Sequence, residues 1–142
     1  MALTVRDARA ADAGAVARLL DQLGYPADAS AVAVRLERLG IVGDRVVVAE
    51  VDDEVVGLAH LQVTPTIEYD RPAAKIGALV VDESHRGEGV GRALVEALEE
   101  EARARGCVLI FLTTSARRTD AHEFYRRIGL EETGKRFTKP LG

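Results

Sequence analysis

Three glycines at alternate positions form the segment of this sequence whose residue types most clearly suggest chemistry. Gly87, Gly89 and Gly91 lie between two basic residues, Arg86 and Arg92. Glycine lets the backbone approach a ligand closely, so that several N–H groups can point at one anion. A helix that begins there adds a partial positive charge at its N-terminus. The segment therefore predicts a site for a phosphate or pyrophosphate group.

Two familiar phosphate-binding patterns do not fit this segment. A Walker A loop requires Gly-Lys-Ser/Thr after its second glycine, and the sequence lacks it. The dinucleotide fingerprint is Gly-x-Gly-x-x-Gly, whereas these glycines have the spacing Gly-x-Gly-x-Gly and come late in the chain. Two alternatives stay open: another kind of nucleotide-phosphate binder, and a turn whose glycines serve only for tight packing.

The elements around the glycines have the pattern of a β-loop-α-β unit. Lys75–Val81 is a nearly continuous apolar run, which is typical of a strand covered on both faces. The helix after the glycines should end at Gly106, and Cys107–Thr113 predicts the next buried strand. Such a crossover makes the two strands parallel.

The remaining elements predict a mixed α/β fold whose sheet is antiparallel first and parallel later. They are identified by apolar residues at helical spacing and by β-branched runs between turns. In chain order, they are a strand over Leu3–Arg6, a helix capped by Asp12, a second helix from Asp28 or Ser30 to Gly40, a hairpin of Arg45–Val51 and Val55–Val63, a short helix over Asp120–Ile128 and a last strand over Glu131–Thr138.

Composition excludes several classes of function. The chain has 142 residues, of which 47% are hydrophobic and 30% charged, so we expect one soluble domain over residues 1–142. A formal net charge of −4 disfavours a nucleic-acid partner. No signal peptide and no apolar run of about 18 residues is present, so we expect a cytoplasmic protein without a membrane partner. Cys107 stands alone, and no Cys/His cluster has zinc-ligand spacing, so no metal is expected.

Two segments resemble the GNAT family of N-acetyltransferases. Val81–Leu94 resembles that family's acyl-CoA-binding motif, Gln/Arg-x-x-Gly-x-Gly/Ala, with matches at Arg86, Gly89 and Gly91. Ala121–Leu130 is similar to the family segment Ala-x-x-Phe/Leu-Tyr-x-x-x-Gly-Phe. The resemblance covers nearly the whole chain. It implies the GNAT acyl-CoA N-acyltransferase fold, with antiparallel N-terminal strands, a parallel β-α-β unit whose strands splay apart, about six or seven strands and four helices.

The resemblance implies acetyl-CoA as the cosubstrate and CoA as a product. Pantetheine would lie between the splayed strands, and the pyrophosphate would bind N–H groups of the glycine turn. A backbone N–H near Leu79 or Val80 would stabilise the oxyanion. At Arg118 the chain departs from the asparagine that relatives often place near CoA. The implied cofactor-binding residues are Leu79, Val80, Val81, Arg86, Gly87, Glu88, Gly89, Val90, Gly91 and Arg92.

Acetyl transfer from a thioester to an amine requires both an acid and a base. An alkyl ammonium has a pKa near 10.4, so only about one molecule in a thousand is neutral at pH 7. The leaving thiolate needs a proton, and the resemblance implies that Tyr125 donates it. Phe124 and Ile128 are four residues apart and can face the core, which leaves Tyr125 on a different side of its helix. The alternative is that Tyr125 only packs.

The sequence leaves the base open. Many family members carry an acidic residue in the strand before the glycines, where this chain has Gly77-Ala78. For each candidate, a structural or solvent-exposed role is the competing interpretation, and a relayed water is a further alternative. The candidates are His122, three residues before Tyr125, Glu68 as a base or substrate contact, Asp70 in the same loop, and His60, which alternates with Val56 and Leu58 on one strand face.

These observations predict an acetyl-CoA-dependent N-acetyltransferase. The amine of a small molecule or a protein would attack the thioester directly. Glu68 and Asp70 favour a cationic acceptor. The alternative is a non-catalytic acyl-CoA-binding or sensing module of the same fold, which the absent strand carboxylate favours and Tyr125 opposes. Dimerisation is common among relatives, so a homodimer is an open alternative to the monomer.

Overall fold

In a computed structural model that describes residues 2–113 and 119–142, five strands form one sheet and four α-helices cover it. The strands lie in chain order across the sheet. They are β1 (Leu3–Asp7), β2 (Arg45–Val51), β3 (Glu54–Thr64), β4 (Ala73–Val81) and β5 (Ile110–Leu112). The helices are α1 (Ala13–Leu23), α2 (Ala29–Ile41), α3 (Val90–Ala104) and α4 (Thr119–Arg127), with 3-10 turns at Ala10–Asp12 and Glu83–His85. None of the described helices is long and apolar enough to cross a membrane.

The predicted change from antiparallel to parallel pairing is confirmed. Strands β1 to β4 pair antiparallel, whereas β4 and β5 pair parallel across α3. Asp52 and Asp53 both have positive φ, the conformation that a tight hairpin between β2 and β3 requires. The tight hairpin thus makes β2 and β3 antiparallel, and the crossover through α3 makes β4 and β5 parallel.

The sheet separates two apolar cores. Helix α3 covers one face with Val90, Leu94, Val95, Leu98 and Ala102. Helices α1 and α2 cover the other face, where Leu19 and Val32 pack near Leu58 and Val80. Gly57 lies under α3, because a Cβ there would be 2.9 Å from Leu94 Cδ1. Packing of α3 on β3 therefore requires a residue without a side chain.

The two N-terminal helices begin differently from one another. Asp28 caps α2 as predicted, because its carboxylate accepts a hydrogen bond from Ala31 N at 2.8 Å. Asp12 occupies the cap position of α1 but makes no side-chain cap bond. Its carboxylate instead accepts bonds from the Arg6 guanidinium at 2.8 and 2.9 Å and from Arg9 N at 2.7 Å. The prediction of a capping carboxylate at Asp12 was wrong, because its oxygens accept hydrogen bonds from Arg6 and Arg9 N instead of from the first turn of α1.

Two strand predictions also needed correction. The strand predicted over Cys107–Thr113 extends only from Ile110 to Leu112. The strand predicted over Glu131–Thr138 is absent from the described structure, where residues 131–142 are all exposed. Every residue of Glu131–Thr138 except Phe137 is polar or glycine, so the predicted strand has no apolar face to bury against the sheet. The described residues therefore contain five strands rather than six or seven.

A register irregularity changes the expected faces of β3. Pairing with β2 shifts between Ala49 and Glu50, opposite Val56. Val56 consequently belongs to the core under α3, whereas Leu58 belongs to the core under α1 and α2. The prediction that His60 shares one face with both residues was wrong for Val56. A bulge shifts side-chain alternation by one residue, and the sequence pattern did not reveal it.

Candidate active site

Strands β4 and β5 separate after a short stretch of pairing. Residues Ala74–Ile76 of β4 pair with Ile110–Leu112 of β5. Beyond Ile76, β4 continues to Val81, and no described residue pairs with it on the β5 side. A cavity of about 350 Å³ opens where the strands part. It is lined by Leu23, Gly24, Tyr25, Ile76, Gly77, Ala78, Leu79, Leu112, Thr113, Tyr125 and Arg136.

The cavity wall contains a bulge in β4. Leu61 pairs with Ile76 and Ala59 pairs with Leu79, so Gly77 and Ala78 together face one residue of β3. A bulge interrupts the hydrogen-bond ladder and leaves main-chain groups unpaired. The bulge lies at the point where β4 and β5 separate.

The glycine turn at the end of β4 has open space around Gly87 and Gly89. Gly87 and Gly89 have φ values of +81° and +86°, a conformation that side chains other than glycine rarely adopt. A Cβ at either position would meet no atom within 4 Å. The first backbone bond of α3 runs from Ala93 N to Gly89 O at 3.1 Å, so the three preceding helical N–H groups point out of the helix end. This arrangement can bind an anion.

Gly91 has a different role from the other two glycines. A Cβ at Gly91 would lie 2.9 Å from Cζ of the Phe124 ring. Helix α4 therefore packs directly on the first turn of α3, and the two motif-bearing segments touch. The sequence predicted Gly91 as a cofactor residue, and the structure adds this packing contact.

Polar contacts hold the glycine turn against α1. Asp82 follows β4, and its carboxylate accepts bonds from Ser84 N, from Ser84 Oγ and from Gln22 Nε2. These bonds, chiefly those from Ser84, lower the pKa of Asp82 to about 2. Gln22 Oε1 also accepts a bond from Glu83 N at 3.0 Å. The end of α1 and the entry to the turn are thus one connected unit.

Two side chains that flank the turn have partners within it. His85 Nδ1 lies 2.9 Å from a carboxylate oxygen of Glu88. Arg86 Nε donates a bond to Val81 O at 3.4 Å, which keeps its exposed side chain beside the end of β4. Arg86 therefore places a positive charge at the junction of β4 and the turn.

Tyr125 lies at the cavity, as its predicted role requires. The half-buried ring meets the Phe124 ring edge-on, with centroids 5.8 Å apart. Helix α4 ends at Gly129, whose φ is +95°, and Leu130 N donates to Tyr125 O at 2.9 Å. Ile128 packs against the core under α3. The Phe124 and Ile128 contacts fix the helix so that Tyr125 faces the cavity.

The other predicted catalytic residues do not line the cavity. His122 is half-buried on α4, and Glu68 is exposed in the loop between β3 and β4. Arg118 lies outside the described residues. Of the predicted cofactor residues, Leu79 lines the cavity and the others follow along β4 and the turn. The structure thus brings together Tyr125, Leu79 and the end of β4.

Sequence reasoning missed three polar side chains at the cavity, Thr113 at the end of β5 and the larger Tyr25 and Arg136. Tyr25 follows α1, which ends at Gly24 with φ +100°. Arg136 comes from the exposed C-terminal segment and carries the only charge among the described residues that line the cavity. Neither Tyr25 nor Arg136 lies in a recognisable motif, because only the tertiary path of the chain brings it to β4.

The sheet order, the parted strands and the glycine turn together are the features of an acyltransferase fold. The family profile described as Acetyltransferase (GNAT) family matches residues 16–130. This chain therefore belongs to the GNAT acetyltransferase family.

Two curated relatives and one solved structure illustrate the likeness. The chain is 40% identical over 88 residues to the aminoalkylphosphonate N-acetyltransferase of Salmonella typhimurium, covering 62% of this chain and 57% of that protein. It is 36% identical over 76 residues to the glucosamine 6-phosphate N-acetyltransferase of Trypanosoma brucei brucei, covering 53% of this chain and 50% of that protein. It thus spans about half the length of these relatives. A Trypanosoma brucei acetyltransferase superposes with a TM-score of 0.85 at 26% identity, over 99% of this chain and 100% of that one.

Proposed function

We propose that this chain transfers an acetyl group from acetyl-CoA to the primary amine of a small molecule. The observation that carries the proposal is the cavity between β4 and β5, because it joins Tyr125 to a strand edge that leads to the glycine turn. A non-catalytic sensor needs the turn but gains nothing from a phenol at the far end of the strand. Family membership and the N-acetyltransferase names of the relatives support the catalytic interpretation.

The cradle and the strand edge suit the two ends of CoA. The pyrophosphate would accept hydrogen bonds from the outward N–H groups of Val90–Arg92, aided by the helix dipole and by Arg86. The pantetheine amides would bond to β4 from Gly77 to Val81, where β5 no longer pairs with it in the described structure, as an added strand would. The thioester would then reach the bulge, where unpaired backbone N–H groups can stabilise an oxyanion.

The reaction proceeds by addition and elimination at the thioester carbon. The neutral amine attacks the carbonyl, and a C–N bond forms while the oxygen becomes an anion. Collapse of this intermediate breaks the C–S bond, and the Tyr125 hydroxyl donates its proton to the departing sulfur. The nitrogen loses its surplus proton, which restores the tyrosine through solvent and leaves a neutral amide.

The charge at the cavity favours an acceptor that also bears an anion. Arg136 and Tyr25 both line the cavity, and no carboxylate is present among the described lining residues. A planar guanidinium binds phosphate, phosphonate or carboxylate through paired hydrogen bonds. The names of the two relatives, an aminoalkylphosphonate and a glucosamine 6-phosphate enzyme, agree with such acceptors. Glu68 and Asp70, which favoured a cationic acceptor, lie outside this wall.

Thiol release from acetyl-CoA tests the proposal. An amine panel should include 2-aminoethylphosphonate, its uncharged counterpart ethanolamine, and a polyamine. We expect release with the phosphonate first, and a loss of about 100-fold in kcat for Tyr125→Phe at unchanged CoA affinity. Tyr69→Phe, in an exposed loop, is the matched control. Calorimetry that detects CoA binding, combined with no thiol release with any amine, would instead establish the sensor alternative.

A further inference from the structure

A histidine and a carboxylate form a pair on the sheet beside the bulge. His60 Nε2 lies 2.8 Å from Asp44 Oδ2. Only 7% of the Asp44 side chain and 20% of the His60 side chain are exposed. Such burial, together with a direct bond, fixes the imidazole ring in one orientation and favours the tautomer with its proton on Nε2.

The free edge of this imidazole lies over Gly77. A Cβ built on Gly77 would be 3.1 Å from Cε1 of His60 and nearer still to Nδ1. The ring therefore occupies the space that a side chain at position 77 would need. Gly77 lines the cavity and His60 does not, so the main chain at Gly77, which carries no side chain, separates Nδ1 from the cavity.

The alternation of side chains along β3 places the His60 imidazole on the face of the sheet that α1 and α2 cover. Leu58, two residues earlier on β3, packs into the core under α1 and α2. The cavity residues Gly24 and Tyr25 come from the end of α1 on that same face. An acceptor bound between Tyr25 and the bulge would thus place its amine on the side of Gly77 that His60 occupies.

We propose that His60, oriented by Asp44, accepts the proton of the acceptor ammonium at Nδ1, directly or through one water across Gly77. This inference rests on the proposed function. Loss of that proton gives the neutral amine that forms the C–N bond, while Tyr125 protonates the sulfur. His60 later releases its proton to solvent, so each turnover liberates one proton. Asp44 is a positioning residue, because it stabilises the imidazolium without touching the substrate.

The experiment compares two acceptors in His60→Asn and the unmodified protein. One is an ordinary alkyl amine, and the other is an amine whose conjugate acid has a pKa below the assay pH. We expect kcat for the alkyl amine to fall about 100-fold. The weakly basic amine is already neutral, so its kcat should fall only a few-fold. Equal losses for both acceptors would overturn the proposal, since distorted packing does not depend on amine basicity.

Further variants separate catalysis from folding. Added imidazole should partly restore the alkyl-amine rate of His60→Asn, and Asp44→Asn should lower kcat about 10-fold. CoA affinity should stay unchanged in both variants. Gln62→Ala, exposed two residues along the same strand, is the matched control and should retain full activity. If the unmodified protein acetylates no amine, the proposed function fails, whereas an active protein with an active His60→Asn variant refutes only the role of His60.

Discussion

The two sides of the candidate active site are made from different parts of the polypeptide. The proposed cofactor side, Arg86–Arg92, is one continuous segment in which the N–H groups of the first turn of α3 precede its first helical bond. The acceptor side consists of Tyr25, Gly77, Tyr125 and Arg136, which come from four separate places in the chain. A main-chain cradle binds the same group regardless of side-chain identity, whereas a wall of side chains selects among ligands. Changes on the cofactor side should therefore affect every acceptor alike, and changes on the acceptor side should distinguish between amines.

Gly89→Val should produce the largest effect, on the cofactor side. Its φ of +86° is strained for any β-branched residue, and a Cβ there would meet no atom within 4 Å, so the strain is in the backbone. We expect CoA affinity to fall about 100-fold, equal to about 2.7 kcal/mol, measured by calorimetry. Gly40→Ala, in α2 with open space around it, is the control and should bind CoA normally. Unchanged CoA affinity in Gly89→Val would contradict the proposal that the glycine turn binds CoA.

Gly91→Ala tests the contact that joins the two sides. The added methyl group would lie 2.9 Å from Cζ of Phe124, so the ring must shift, and we expect this to displace the adjacent Tyr125. We expect kcat to fall about 10-fold, with CoA affinity changed only a few-fold, because small displacements of positioned groups are costly. Gly14→Ala, which meets no atom within 4 Å, is the control. The double variant Gly91→Ala/Phe124→Leu should recover part of the rate, and failure to recover it would separate Gly91 from Tyr125.

Asp82 gives the connection between α1 and the turn a pH dependence. Its folded pKa of about 2 lies below the ordinary value of 3.8, so ionisation stabilises the folded state. That stabilisation is fully present above about pH 4 and is lost as the pH falls towards 2. We expect Asp82→Asn to lower the free energy of unfolding by about 1–2 kcal/mol at pH 7 and by much less near pH 2. Denaturant unfolding at both pH values measures this, with Asp70→Asn in an exposed loop as the control. An equal loss at both values would contradict the ionic origin.

The contrast between the two sides also explains what the sequence could predict. The bounds Arg45–Val51 match the observed strand because β-branched residues and a flanking turn determine them locally. The glycine turn was likewise identified from local sequence, because its three glycines lie within five residues. The bulge at Gly77-Ala78 has no local signal, because it depends on the register of two strands already paired.

Residues distant in sequence account for the rest. Asp44 and His60 are 16 positions apart, and no sequence pattern predicts that their side chains form a hydrogen bond. Arg136 reaches the cavity from a segment whose predicted strand is absent. Such contacts result from the tertiary path of the chain, so a single sequence revealed the class of reaction more readily than the acceptor.

Of these variants, Arg136→Gln should change the measured constants least, and its effect should depend most on which amine is the acceptor. Glutamine keeps hydrogen-bonding capacity but loses the charge, so binding of an anionic acceptor should weaken about 5- to 10-fold, as expected for one partly exposed charged contact. We expect KM for 2-aminoethylphosphonate to rise by that factor, while KM for ethanolamine and affinity for CoA stay constant. Arg127→Gln, exposed on α4 and absent from the cavity wall, is the matched control. A similar rise in KM for both amines would mean that Arg136 supports the shape of the wall rather than recognising charge, and the acceptor would then not need an anion.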